Sequence, residues 1–190
     1  MPILGALMGF SLFLGSAAFP NQNAVKPGTA TPAPAVVPGY DVTLTAYNAV
    51  AGQTDSTPFE TASGAYSNPE IVAARSADLA DELPFGTIIA VDGTNASKAA
   101  CGYNAVAPLI GYRVIEDSMN PRYTSRIDVL FDTKSNLARP DGTRMNAANI
   151  LGICKGVTIR VVGRVDVRNM PKTQIELAAY VEKGSQLALK

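Results

Sequence analysis

Histidine and tryptophan are both absent from this chain of 190 residues. Without histidine there can be no Ser-His-Asp or Cys-His catalytic arrangement, and the imidazole ligands of most catalytic zinc sites are missing. Catalytic proton transfer therefore falls to Asp, Glu, Lys, Tyr or Cys. The sequence also lacks clustered carboxylates, so we expect neither a metal site nor a cofactor.

An excess of charge of either sign is also lacking, because sixteen Lys and Arg residues balance sixteen Asp and Glu residues. A chain with no net charge has no general attraction for polyanions, so we expect no nucleic-acid partner. The length supports one domain with a core, plus tails.

Cysteine is scarce, with Cys101 and Cys154 as the two examples. They are far apart and form no CxxC pair, which argues against a redox motif and against a structural zinc site. Two alternatives remain open for them. One is a disulfide, which an oxidising compartment would favour, and the other is a pair of buried free thiols.

The first nineteen residues have no charged side chain and are almost wholly apolar. Small residues at positions 15–18 then lead into polar sequence, which is typical of a signal-peptide cleavage region, although the usual N-terminal positive charge is missing. We therefore predict a signal peptide over residues 1–19. A membrane anchor and a segment buried against a partner are the alternatives. Residues 20–40 are rich in Pro, Ala and Thr and predict a semi-rigid linker.

Short runs rich in β-branched residues dominate the chain after residue 40, and Gly, Pro and Asn clusters separate them. These runs cover residues 41–47, 70–75, 86–92, 111–117, 126–132 and 157–167. Several short strands without an alternating helical pattern predict a barrel or a sandwich. Short helices are expected at residues 135–138 and 146–151, and a helical tail at residues 172–181.

Four segments, taken in order, carry a resemblance to a known family. They are Thr45-Ala46-Tyr47 with Thr61-Ala62-Ser63-Gly64, Leu83-Pro84-Phe85-Gly86-Thr87, Val114-Ile115-Glu116-Asp117-Ser118-Met119-Asn120, and Arg126-Ile127-Asp128-Val129-Leu130-Phe131. Their order and spacing resemble the three-aspartate (3D) domain, which is similar to the catalytic domain of membrane-bound lytic transglycosylase A and to rare lipoprotein A. The resemblance implies a six-stranded double-psi β-barrel over residues 41–168. Together with the helices expected from composition, it predicts a mainly β fold with short helices and a C-terminal helical tail over residues 169–190.

The resemblance also implies a catalytic role for two aspartates. Asp128 corresponds to the acid/base aspartate of the transglycosylase, and Asp117 to a second aspartate that opens onto the same groove. The third aspartate of the family has no clear counterpart, and Asp78 or Ser76 stands nearest to its place. From the residues alone, an aspartate at a strand end has a simpler alternative role, which is to cap a turn or to pair with a nearby arginine.

Polar and aromatic side chains near these aspartates are candidates for binding sugar. Tyr47, Thr61 and Ser63 offer hydroxyl groups, and Tyr47 could stack on a pyranose face; the alternatives are a core tyrosine and a polar turn. Arg122 and Arg126 could contact the carboxylates of a muropeptide or form a solvated basic face.

The resemblance implies that these residues belong to a peptidoglycan lytic transglycosylase, which would cleave the bond between N-acetylmuramic acid and N-acetylglucosamine in glycan strands. Two other classes stay open: a non-catalytic glycan-binding barrel, and a structural component of an envelope or phage-tail assembly. The apolar N terminus predicts export to the periplasm, the cell envelope or the medium, with a phage virion as the alternative. Any membrane contact would be made through residues 1–19.

Overall fold

The computed structural model describes residues 39–93, 101–139 and 141–188. In these ranges the strands are β1 (Gly39–Asn48), β2 (Val72–Arg75), β3 (Thr87–Val91), β4 (Tyr112–Ser118), β5 (Arg126–Phe131), β6 (Asn136–Ala138), β7 (Arg144–Asn146) and β8 (Cys154–Arg164). The α-helices there are α1 (Tyr103–Ile110), α2 (Ala147–Leu151) and α3 (Gln174–Ala188). None of these helices has the length and apolar character needed to cross a membrane.

Six of these strands close into a barrel in the order β1-β5-β2-β4-β3-β8. Neighbouring strands run antiparallel, except that β1 is parallel to β5 and β2 is parallel to β4. Each of the six predicted strand runs overlaps one strand of the barrel. The prediction of a mainly β fold built on a six-stranded barrel, with short helices and a C-terminal helix, is therefore confirmed.

Side-chain alternation along the strands divides the core into two clusters. On β5, Ile127 and Val129 pack in the cluster that includes α1 and α2, whereas Leu130 packs in the cluster that includes α3. Cys101 and Cys154 are joined by a disulfide, with their Cα atoms 5.5 Å apart, which ties the start of α1 to the start of β8. Each face of the barrel wall thus supports helices of its own.

The predicted helical tail is present, and it docks on the barrel. Thr173 begins α3 with a capping box: the Thr173 hydroxyl accepts from the Glu176 N–H at 3.2 Å, and the Glu176 carboxylate accepts from the Thr173 N–H at 3.2 Å. Leu177 and Val181 are buried in the second core cluster. The side chain of Gln174 exchanges hydrogen bonds with the backbone of Tyr112, which attaches the helix to β4.

One helix prediction is wrong and one helix was not predicted. Residues 135–138 were expected to be helical, but Asn136–Ala138 is strand β6, paired with β7. The turn between them favours a hairpin, because Gly142 has a positive φ of 80° and Asp141 accepts from the Thr143 N–H and hydroxyl. Helix α1 contains Pro108, a residue that normally indicates a helix boundary and therefore obscures a helix in the sequence.

The predicted domain boundaries fall as follows. Strand β1 begins at Gly39, two residues inside the predicted linker, and the last barrel strand ends at Arg164. The predicted signal peptide, residues 1–19, and the linker up to residue 38 lie outside the described residues.

Candidate active site

A cleft of about 920 Å³ opens beside β1, β2, β4 and β5. Five of the predicted site residues line it: Tyr47, Thr61, Asp117, Arg122 and Asp128. The other two, Ser63 and Arg126, contact residues of its wall and do not line it themselves. The barrel therefore brings the seven predicted residues to one region, while their chemical roles stay predictions.

The strand register explains how two aspartates from non-neighbouring strands reach one cleft. Strand β2 lies between β4 and β5, and its Ala74 is paired with Asp117 on one side and with Asp128 on the other. Asp128 is paired in turn with Thr45 of β1. Because adjacent strands are about 4.8 Å apart, the Cα atoms of the two aspartates are roughly 10 Å apart. Ala74 lines the cleft between them, and its small side chain leaves the space open.

Asp117 reaches this row because β4 carries a β-bulge. Ala73 is paired with Ile115 and Ala74 with Asp117, so that Glu116 has no residue opposite it on β2. Side chains alternate along a regular strand, so an unbulged β4 would place Glu116 at the position that Asp117 occupies. The bulge therefore decides which of two adjacent carboxyl groups faces the cleft.

Hydrogen-bond donors hold both carboxylate oxygens of Asp117. Its Oδ1 accepts from the backbone N–H of Ala62 at 3.0 Å and of Ser118 at 2.9 Å, and its Oδ2 accepts from the Tyr47 hydroxyl at 2.9 Å. Tyr47 is only 7% exposed, so its ring offers little surface on which a sugar could stack. Burial, reinforced by the charge of Asp117, raises the pKa of Tyr47, and the phenol remains a hydrogen-bond donor.

Asp128 is in a different environment from Asp117. Its side chain is half-buried, and its Oδ1 is buried with no hydrogen-bond partner among the described residues. Burial is the main reason that the pKa of Asp128 rises to about 6; the charge of Asp117 adds to the rise, while the Thr45 hydroxyl and the charge of Arg126 oppose it. A carboxyl group with this pKa populates both protonation states near neutral pH, as a general acid/base must.

Ser63 supports the cleft wall through Glu116, a buried partner that the sequence pattern does not indicate. Glu116 is fully buried and accepts from the Ser63 hydroxyl at 2.5 Å, while the Ser63 N–H donates to the Glu116 carbonyl at 3.0 Å. Burial raises the pKa of Glu116, and the hydrogen bond from Ser63 opposes this rise. The Ser63 hydroxyl also lies 3.0 Å from that of Thr61. These contacts fix the loop that directs the Ala62 N–H at Asp117.

Tyr123, which lines the cleft, lies against two guanidinium groups. The Cζ atom of Arg122 is 4.8 Å from the centre of the Tyr123 ring, and that of Arg126 is 4.5 Å from it. Arg122 also donates to the Tyr123 hydroxyl at 2.8 Å. Within the described part of the chain, neither guanidinium forms a salt bridge.

Ser76 and Asp78, the candidates for the third family aspartate, follow β2, contact the start of β5 and lie outside the cleft lining. The Ser76 hydroxyl accepts from the Arg126 N–H at 3.0 Å, and Asp78 accepts from the N–H of Ser125 at 2.8 Å. Hydrogen bonds, the strongest from Ser76, lower the pKa of Asp78. Ser125 has a positive φ of 47°, which few side chains adopt. Both residues therefore stabilise the turn that leads Asp128 into the barrel.

Thr45, Ala74 and Glu116 are among the residues of the site that were not predicted. Thr45 could have been found, because it lies two positions before Tyr47 and so shares a face of the same strand. Nothing in the sequence distinguishes Ala74 or indicates that Glu116 is buried. Across residues 39–93, 101–139 and 141–188, no group of three or more His, Cys, Asp or Glu side chains is arranged to hold a metal ion.

The chain was also compared with known proteins. No protein-family model matches the sequence, and no curated protein matches it.

Proposed function

We propose that this protein is a lytic transglycosylase that cleaves peptidoglycan glycan strands, with Asp128 as the general acid and then the general base. The observation that carries the proposal is the environment of Asp128, a cleft-lining carboxyl group with a pKa of about 6. One of its oxygens is buried and has no hydrogen-bond partner among the described residues. Such a combination is typical of functional carboxyl groups and uncommon in groups that only cap turns. The substrate class, peptidoglycan, comes from the resemblance of the ordered sequence motifs to the 3D domain.

The reaction needs one carboxyl group and no water nucleophile. Protonated Asp128 would donate its proton to the glycosidic oxygen as the bond to C1 of N-acetylmuramic acid breaks. The C6 hydroxyl of the same sugar would then attack C1, and the Asp128 carboxylate would accept the hydroxyl proton. The products are a 1,6-anhydro sugar end and a free hydroxyl on the departing strand, and Asp128 is protonated again.

Asp117 would support this cycle without exchanging protons itself. Its carboxylate is held by three donors, including Tyr47, and its charge contributes to the raised pKa of Asp128. A fixed negative charge about two strands away would also stabilise the positive charge that develops at C1 in an oxocarbenium-like transition state. Peptidoglycan lies outside the cytoplasmic membrane, so the proposal includes export, for which the apolar residues 1–19 are the sequence support.

The test is to incubate the purified protein with isolated peptidoglycan sacculi and to identify the released products by mass spectrometry. We expect soluble 1,6-anhydro muropeptides from the wild type. The Asp128→Asn variant should lose activity by at least about a hundredfold, because amide groups do not exchange the proton. Asp81→Asn is the matched control, since Asp81 is exposed and lies outside the cleft lining.

Three results would contradict the proposal. Hydrolysed products without the anhydro ring would indicate a different reaction. A folded protein that sediments with sacculi but releases nothing would indicate a non-catalytic glycan-binding barrel. A folded protein that neither binds nor cleaves sacculi would indicate a structural component.

A further inference from the structure

Acidic side chains outnumber basic side chains in the lining of the cleft. Asp55, Glu60, Asp117 and Asp128 are its acidic residues, and Arg122 is the one basic residue among the described lining residues. An anionic group on a substrate would be repelled by most of such a cleft and attracted near Arg122. The position of this arginine therefore restricts where a negatively charged substituent can lie.

The Arg122 side chain is held in place, although it is exposed. It lies against the Tyr123 ring and donates through Nη2 to the Tyr123 hydroxyl. A guanidinium stacked on an aromatic ring loses less conformational entropy when it binds a ligand, and its planar edge matches a carboxylate. In the described part of the chain no acidic side chain forms a salt bridge with it.

Arg126 adds a second positive charge, because its guanidinium also lies against the Tyr123 ring. Arg126 and Asp128 are two positions apart on β5, so their side chains leave the same face of the strand. The Nε atom of Arg126 is buried and has no acceptor among the described residues, which is a costly state for a charged donor group. The ring of Tyr123 thus lies against two guanidinium groups, neither of which forms a salt bridge in the described part of the chain. Arg126 interacts with the charge of Asp128, the candidate acid/base, without a direct ion pair.

We propose that Arg122, Tyr123 and Arg126 form a carboxylate-binding subsite, which orients an anionic glycan so that its scissile bond lies at Asp128. This inference rests on the proposed function and specifies which part of the substrate is recognised. Two carboxylates in peptidoglycan have the required chemistry: those of the stem peptides, and the lactyl carboxylate that is exposed when a stem peptide has been removed.

The test compares three kinds of soluble glycan fragment: fragments that bear stem peptides, fragments stripped of peptides by an amidase, and peptide-bearing fragments with amidated carboxyl groups. Dissociation constants are measured by titration calorimetry in an Asp128→Asn background, which is expected to prevent turnover. We expect amidation to weaken binding about tenfold, as for the loss of one charge-assisted hydrogen-bonded pair. The Arg122→Gln variant should bind the carboxylate-bearing fragments about tenfold more weakly and the amidated fragments unchanged.

Arg168→Gln is the matched control, because Arg168 is exposed and lies outside the cleft lining. An effect of Arg122→Gln on peptide-bearing fragments alone identifies stem-peptide carboxylates, and an effect on stripped fragments alone identifies the lactyl carboxylate. Equal binding of charged and amidated fragments by the parent protein would overturn the subsite, and this comparison does not depend on whether Arg122→Gln folds. An equal loss for all three fragments in Arg122→Gln would overturn it too.

The two proposals can fail separately. If wild-type protein releases anhydro products but binding shows no preference for carboxylates, the subsite is wrong and the proposed reaction stands. If the preference for carboxylates is present but no product is released from sacculi, the subsite stands and the catalytic proposal is wrong.

Discussion

Replacing Asp128 by asparagine should stabilise the folded protein at neutral pH. Asparagine has nearly the shape of aspartic acid but carries no charge, so it resembles the protonated carboxyl group. The side chain at this position is half-buried, and one of its oxygens is buried without a partner among the described residues. The substitution therefore removes the free-energy cost of burying an ionised carboxylate.

The magnitude of this effect follows from the pKa of Asp128, which rises from its ordinary value of 3.8 to about 6 on folding. Between these two pH values the folded state binds more protons than the unfolded state, so stability decreases as the pH rises through this window. Well below pH 3.8 the carboxyl group is protonated in both states and carries no penalty. Well above pH 6 the penalty is complete and amounts to about 3 kcal/mol.

The measurement is the free energy of unfolding from urea denaturation at pH 4 and at pH 7.5, for the wild type, Asp128→Asn and the exposed control Glu82→Gln. We expect Asp128→Asn to gain up to about 3 kcal/mol over the wild type at pH 7.5 and little at pH 4. The control should show no such pH dependence. The reasoning would be refuted by an Asp128→Asn variant that is no more stable than the wild type at pH 7.5, because its carboxylate would then be adequately solvated or paired.

Two further predictions concern the support of the site. Tyr47→Phe removes one donor from Asp117 and should cost about 1–2 kcal/mol of stability together with part of the activity. Tyr180→Phe is the control, because it removes a tyrosine hydroxyl that donates to the Arg164 carbonyl outside the cleft, and it should retain the activity. Equal activity of Tyr47→Phe and wild type would contradict this role. Reducing the disulfide between Cys101 and Cys154, whose sequence separation is 53, should lower stability by about 4 kcal/mol, measured by urea denaturation with and without reductant. An unchanged transition midpoint would show that the link does not constrain the unfolded chain.

The barrel was predictable because its strands carry strong local patterns. Each barrel strand is a β-branched run bounded by turn residues, and the order of the motifs indicated a barrel instead of a sandwich. Elements whose local pattern is ambiguous were missed or misassigned. Helix α1 contains Pro108, and β6 has only three residues, so its conformation is decided by pairing with β7 and not by its own sequence.

The sequence predicted which residues come together in the site, but not how the strands arrange them. Asp117 and Asp128 were identified from their motifs, but the sequence does not show that β2 lies between their strands, with Ala74 opposite both. It also does not show the bulge that buries Glu116 and turns Asp117 toward the cleft. Register and bulges depend on contacts between distant segments, and these cannot be read from a single segment.

The buried carboxyl groups of the site lower the stability of the folded protein, which favours a functional role for them over a purely structural one. Two carboxyl groups on the same wall, Asp128 and Glu116, each have a buried oxygen without a partner among the described residues, and burial raises the pKa of both. A barrel that served only as a scaffold would be more stable with neutral side chains at these positions, since buried polar groups in folded proteins are nearly always hydrogen-bonded. Residues that lower stability are typical of sites where ligands bind or protons move. The position of Asp128 on the cleft makes it the one of the two that a substrate can reach, whereas Glu116 acts through Ser63 on the loop that holds Asp117.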